Sequence, residues 1–122
     1  LLSPGMKTEF DAHATQELDH ANRLADRVQQ LGGVPVYDPR EISSKAANIG
    51  IAPEQGATLA EMVTGDLMLV RQQIEVYSAL IRKIGDEDLV TRQVLLSILA
   101  ETEKHASELA DYLKRSSKQE LS

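Results

Sequence analysis

The chain has 122 residues, 42% of them hydrophobic and 26% charged, with a formal net charge of -6 at pH 7 and no cysteine. That length suits one domain with a single core. The acidic balance disfavours nucleic-acid binding through phosphate neutralisation, and the lack of thiols excludes disulfides and thiolate metal ligation. No apolar run approaches the ~18 residues of a membrane span, so a cytoplasmic protein without membrane attachment is expected. An aromatic share of 3% leaves an aliphatic core, which helices use more readily than sheets.

The opening Leu1-Leu-Ser-Pro-Gly5 lacks the basic flank and apolar run of a signal peptide and reads as the tail of a loop that something should precede. From about Met6 to Leu31, Phe10, Ala14, Ala21, Leu24, Val28 and Leu31 recur at intervals of three and four, the mark of one helical face. Gly32-Gly33 should end this helix, because glycine tolerates the left-handed geometry past a helix terminus, and Pro35 cannot rejoin the hydrogen-bond ladder. Residues 32–57 then form a connection too long for a tight turn, with Asp38-Pro39-Arg40-Glu41 able to start one short helix.

A second long helix is expected over 58–84, opened by the capping box Thr58-x-x-Glu61 and closed by Gly85. Its apolar face comprises Leu59, Met62, Val63, Leu67, Val70, Ile74, Tyr77 and Ile81. A third, over about 87–115, starts near Asp86 or Asp88 and uses Val90, Val94, Leu95, Ile98, Leu109, Tyr112 and Leu113. The short link makes these two antiparallel neighbours. Three long amphipathic helices joined by one long crossover and one tight hairpin give an all-α fold class. The pattern is that of a four-helix bundle after removal of its first helix.

Polar residues interrupt the apolar faces. Glu17 and His20 lie one turn apart on the side of the first helix that carries Ala21 and Leu24, and His105 lines up with Ile98, Leu109 and Tyr112 on the third. The segment His20-Ala-Asn-Arg-Leu-Ala-Asp26 returns as His105-Ala-Ser-Glu-Leu-Ala-Asp111. Burying a carboxylate and imidazoles without partners costs several kcal/mol each. A cation removes that cost, and carboxylate oxygen with imidazole nitrogen suits iron, manganese or zinc. By itself a Glu-x-x-His is common on solvated helix faces. His13 reads as a partly exposed histidine or hydrogen-bond partner. Glu101, Glu103 and Glu108 read as a solvated flank, although Glu101, one turn before His105, could supply a further carboxylate.

The segment from Glu17 through His20 to Gly32-Gly-Val-Pro35 resembles the second helix of bacterioferritin and Dps-like ferritins. Asn48-Ile-Gly50 resembles part of their long crossover, Asp66-Leu-Met-Leu-Val70 their third helix, and Leu99-Ala-Glu-Thr-Glu-Lys-His105 their fourth. The resemblance covers nearly the whole chain in order, as a single ferritin-like domain over 1–122. It implies a ferritin-like helical bundle that binds non-haem iron, stores or detoxifies it, and assembles with copies of itself.

On that resemblance Glu17 matches a bridging carboxylate, and His20 and His105 match the two histidine ligands. The metal ligands expected are therefore Glu17, His20 and His105. Val70 and Thr102 stand where the family has glutamates, and the family's first helix has no counterpart in the sequence. A coupled two-metal centre needs bridging carboxylates to offset the cation charges, so ferroxidase chemistry should be impaired or incomplete. Leu18 occupies the place of the haem-ligating methionine of bacterioferritins, and haem is not expected. The other reading is a degenerate ferritin-like structural or interaction module without metal chemistry. DNA protection of the Dps kind is opposed by the net charge.

Overall fold

The computed structural model of the chain describes residues 4–33 and 58–121. The expected short helix at Asp38-Pro39-Arg40-Glu41 and the Asn48-Ile-Gly50 segment lie outside them. Three long α-helices account for nearly all the described residues: α1 (Pro4–Gln30), α2 (Leu59–Ile84) and α3 (Leu89–Leu121). No strand occurs among the described residues. The helices start and stop within a few residues of the expected places, except that α3 continues past 115 to Leu121. The chain divides into two compact units, residues 1–49 and 50–122, and each is taken in turn.

In the first unit, α1 ends in a Schellman motif. Gly32 adopts φ +87°, its N–H donates to the Gln29 carbonyl at 2.9 Å, and the Gly33 N–H donates to the Val28 carbonyl at 2.9 Å. These bonds satisfy carbonyls that the helix end would otherwise leave open. Both glycines suit this turn, for different reasons. Gly32 needs the left-handed backbone, whereas a Cβ on Gly33 would lie 2.8 Å from Val28 Cγ1 and 3.3 Å from the Val28 carbonyl oxygen.

The inward face of α1 differs from the one expected. Its buried residues are His13, His20 and Ala25, with Phe10, Ala21 and Leu24 partly buried and Ala14 exposed. Val28 and Leu31 are also exposed, because they belong to the helix exit, where Val28 folds against Gly33. Periodicity alone extended the apolar stripe too far. His13, read from sequence as partly exposed, is 7% exposed. It lies seven residues before His20, two turns along the same side of the helix.

The second unit is a helical hairpin. Thr58 caps α2: its hydroxyl oxygen accepts from the Glu61 N–H at 3.1 Å and donates to the Glu61 carboxylate at 3.1 Å. The carboxylate thus returns to the cap hydroxyl. At the other end Gly85, at φ 53°, donates its N–H to the Ile81 carbonyl. Asp88 then caps α3, accepting from the Thr91 N–H at 3.1 Å, while its backbone carbonyl takes the Arg92 N–H. The link over residues 85–88 reverses the chain, and α2 packs along α3 as antiparallel neighbours.

The hairpin core follows the expected stripes. On α2, Val63, Leu67, Val70 and Ile81 are buried, as are Leu95, Ile98 and Leu109 on α3. Leu59, Met62, Ile74, Tyr77, Val94, Tyr112 and Leu113 are partly buried. Val90 is 56% exposed, since it sits in the first turn of α3 beside the link, past the reach of α2. In an antiparallel hairpin, residues equally far from the link share a level, so Val63 stands level with Leu109 and Val70 with Thr102. These four are all buried. Between these two levels lies a pair that is not apolar.

Candidate metal site

That pair is Asp66 on α2 and His105 on α3. Asp66 is 2% exposed and His105 8%, and His105 Nε2 lies 3.5 Å from Asp66 Oδ2. Asp66 falls three residues after Val63 and four before Val70, so helical geometry directs it into the same interface as those valines. His105 falls four residues before Leu109 and seven after Ile98. Among the described residues Asp66 is the only carboxylate in the buried class.

The levels on both sides of this pair are closed to ligation. Val70 is an aliphatic side chain, 1% exposed. The Thr102 hydroxyl donates to the Ile98 carbonyl at 2.8 Å, a bond back along its own helix that commits its proton locally. One side of the pair is therefore Val63 and Leu109, and the other is Val70 and a threonine turned onto its own backbone. Such surroundings lower the local dielectric and strengthen any interaction between the carboxylate and a positive charge.

In the first unit the polar residues lie along one helix. His13 Nε2 is 3.4 Å from Glu17 Oε1, with side-chain exposures of 6% and 25%. Glu17 therefore engages a histidine one turn before it, in addition to preceding His20 by one turn. His20 is 6% exposed. Of the three residues expected from sequence as metal ligands, His20 and His105 are buried and Glu17 is partly buried. Glu101, the further carboxylate considered on α3, is also partly buried, while Glu103 and Glu108 are exposed as expected of a solvated flank.

Among the described residues, those of ligand type that are buried are thus His13, His20, Asp66 and His105. In the hairpin, Asp66 and His105 bring one hard oxygen and one borderline nitrogen to 3.5 Å of each other, donor types that suit a transition-metal cation. The sequence reading missed Asp66, although the signal was present: an aspartate occupies an inward position of the α2 stripe just as His105 does on α3.

No helix among the described residues is long and apolar enough to cross a membrane. A 31-residue segment of the chain is 58% identical to a protein of Kitasatospora aureofaciens described as an "uncharacterized protein in bpoA2 5'region". The match spans 25% of this chain and 21% of that relative. The family model for the ferritin-like domain, Ferritin, matches residues 3–118. That match takes in all but the ends of the chain, which therefore belongs to the ferritin-like domain family.

Proposed function

We propose that this ferritin-like domain binds iron as its cargo, for storage or detoxification in the cytoplasm, through an altered centre of the bacterioferritin or Dps-like kind. The observation that carries the reading is the burial of the two histidines that match the family's ligands, His20 at 6% and His105 at 8% exposure. Imidazoles in an aliphatic core bring desolvation cost and no packing gain that leucine would not supply. Glu17 is the carboxylate of the same ligand set. The losses at Val70 and Thr102 remove two carboxylates, and with them the negative charge that a coupled pair of irons requires. Ion binding is then the chemistry that survives, and rapid oxidation of Fe(II) by oxygen is not expected.

The test is anaerobic Fe(II) binding by the purified chain, together with oxygen consumption on exposure to air, for wild type and for Glu17→Ala, His20→Ala and His105→Ala. Uptake of iron by the wild type that the histidine variants lose is the expected result. Equal, negligible uptake by all four proteins would leave the second reading, a ferritin-like scaffold without metal chemistry, which Val70 and Thr102 favour. Self-association belongs to the same proposal. Met68, Val76 and Leu80 on α2 and Leu89 and Leu96 on α3 are exposed apolar side chains, and burial between copies is the ordinary use of such surface.

A further inference from the structure

We propose that Met68 is a modification site of this chain: its thioether is the α2 sulfur that hydrogen peroxide oxidises to the sulfoxide, in preference to Met62. The assignment stands apart from the iron-binding reading and uses none of the buried histidines.

The first argument is the supply of sulfur. The chain has three methionines and no cysteine, so no thiolate competes for a two-electron oxidant. Met6 belongs to the first unit, while Met62 and Met68 both lie on α2. Six residues separate these two, which turns them to different sides of the helix. Met62 is partly buried, whereas Met68 is 59% exposed.

The second argument is the turn that each side chain covers. A long side chain in a helix leans back over the turn before its own Cα. For Met62 that turn carries Leu59, a partly buried residue of the hairpin interface. For Met68 it carries Gly65, and among the described residues no atom lies within 4 Å of a Cβ added there. Glycine inside a helix is unfavourable relative to alanine. Here it leaves the thioether of Met68 open to a small oxidant.

The step is an oxygen transfer. A sulfur lone pair of Met68 attacks one peroxide oxygen, the S–O bond forms and the O–O bond breaks. The displaced hydroxide takes the proton from the transferred oxygen and leaves as water, so sulfur is oxidised by two electrons and peroxide is reduced. The product is polar where the thioether was apolar. Met68 opens the row Met68, Gln72, Val76 and Leu80, each four residues on along one side of α2 and all exposed, so the sulfoxide shortens the apolar surface of that side.

The experiment treats the full chain, in EDTA, with hydrogen peroxide, and places each added oxygen by fragment mass spectrometry of its peptides over time. In the folded chain Met68 should be oxidised at least about threefold faster than Met62, because susceptibility follows exposure, and in concentrated urea the two rates should become equal. Gly65→Leu, which the open space admits, should slow Met68 by about twofold or more, since leucine then fills the turn under the thioether. Equal rates in the folded chain, or a preference that persists in urea, would overturn the assignment. A second measurement joins the site to the self-association proposed above. After oxidation the dissociation constant between copies should rise at least about fivefold, the effect of placing an unpartnered polar group in an apolar contact. Methionine sulfoxide reductase should reverse the change, and Met68→Leu should not respond to peroxide. If Met68 is oxidised and association stays the same, the modification site stands and the apolar contact through α2 is what falls.

Discussion

Removing one partner of the Asp66–His105 pair and removing both should have opposite consequences for the metal-free protein. In His105→Leu the carboxylate of Asp66, 2% exposed, loses the imidazole that stands 3.5 Å away. Leaving a buried polar group without one of its partners costs about 1–3 kcal/mol, more when it is charged, a large part of the ~5–15 kcal/mol that holds a domain together. In the double variant Asp66→Val/His105→Leu both members of the pair are replaced by apolar side chains. The new valine continues the series Val63 and Val70, the new leucine stacks one turn from Leu109, and stability should return to within about 1 kcal/mol of wild type or exceed it. The assay is urea denaturation followed by far-ultraviolet circular dichroism with EDTA present. The coupling energy between the two sites should be at least about 2 kcal/mol. Additivity within about 0.5 kcal/mol, the behaviour of independent sites, would refute the claim that the two side chains share one desolvated interface. A double variant more stable than wild type would add that the pair is costly to fold.

At the exit of α1, Gly32→Ala should cost about 1–2 kcal/mol, because φ +87° forces an L-residue into the left-handed region, although no atom lies within 4 Å of the added Cβ. Gly33→Ala should cost less, since Val28, exposed at 40%, can rotate away from the new methyl group. Thermal denaturation of both variants checks the order, and a neutral Gly32→Ala would overturn the capping assignment. Analytical ultracentrifugation across a wide concentration range should show association of the wild-type chain that weakens when Met68, Val76 and Leu80 are replaced by polar residues. A monomer at every concentration would contradict the proposed burial of that surface.

The helices were legible because their signals are local. Thr58 and Glu61, Gly32 and Gly33, and Gly85 act on groups within five residues of themselves, so reading neighbours in sequence suffices to place the ends. The stripes of α2 and α3 were legible too, since a period of three and four survives any arrangement of the hairpin. The stripe of α1 was less so: Val28 and Leu31 keep the period but are exposed, because a helix exit ends burial before it ends periodicity. Residues past 115 carry a weak apolar pattern, and the helix continues there on its own backbone bonds.

The candidate site divides in the same way. His20 and His105 could be singled out from sequence as inward residues, because a histidine at such a position breaks an apolar stripe. Asp66 breaks its stripe equally, yet the resemblance over Asp66-Leu-Met-Leu-Val70 gives it no role, and its partner lies on the other helix. Composition, periodicity and capping residues determined by themselves that this chain makes long helices, that two of them form a hairpin, and which faces of those two turn inward. Only the tertiary structure decided that Asp66 meets His105, since that contact depends on equal distances from the link at residues 85–88, and that Thr102 spends its hydroxyl on Ile98. Local interactions set the rods and their faces, whereas the partner of a buried charge is chosen across the packed interface, where desolvation makes each contact count.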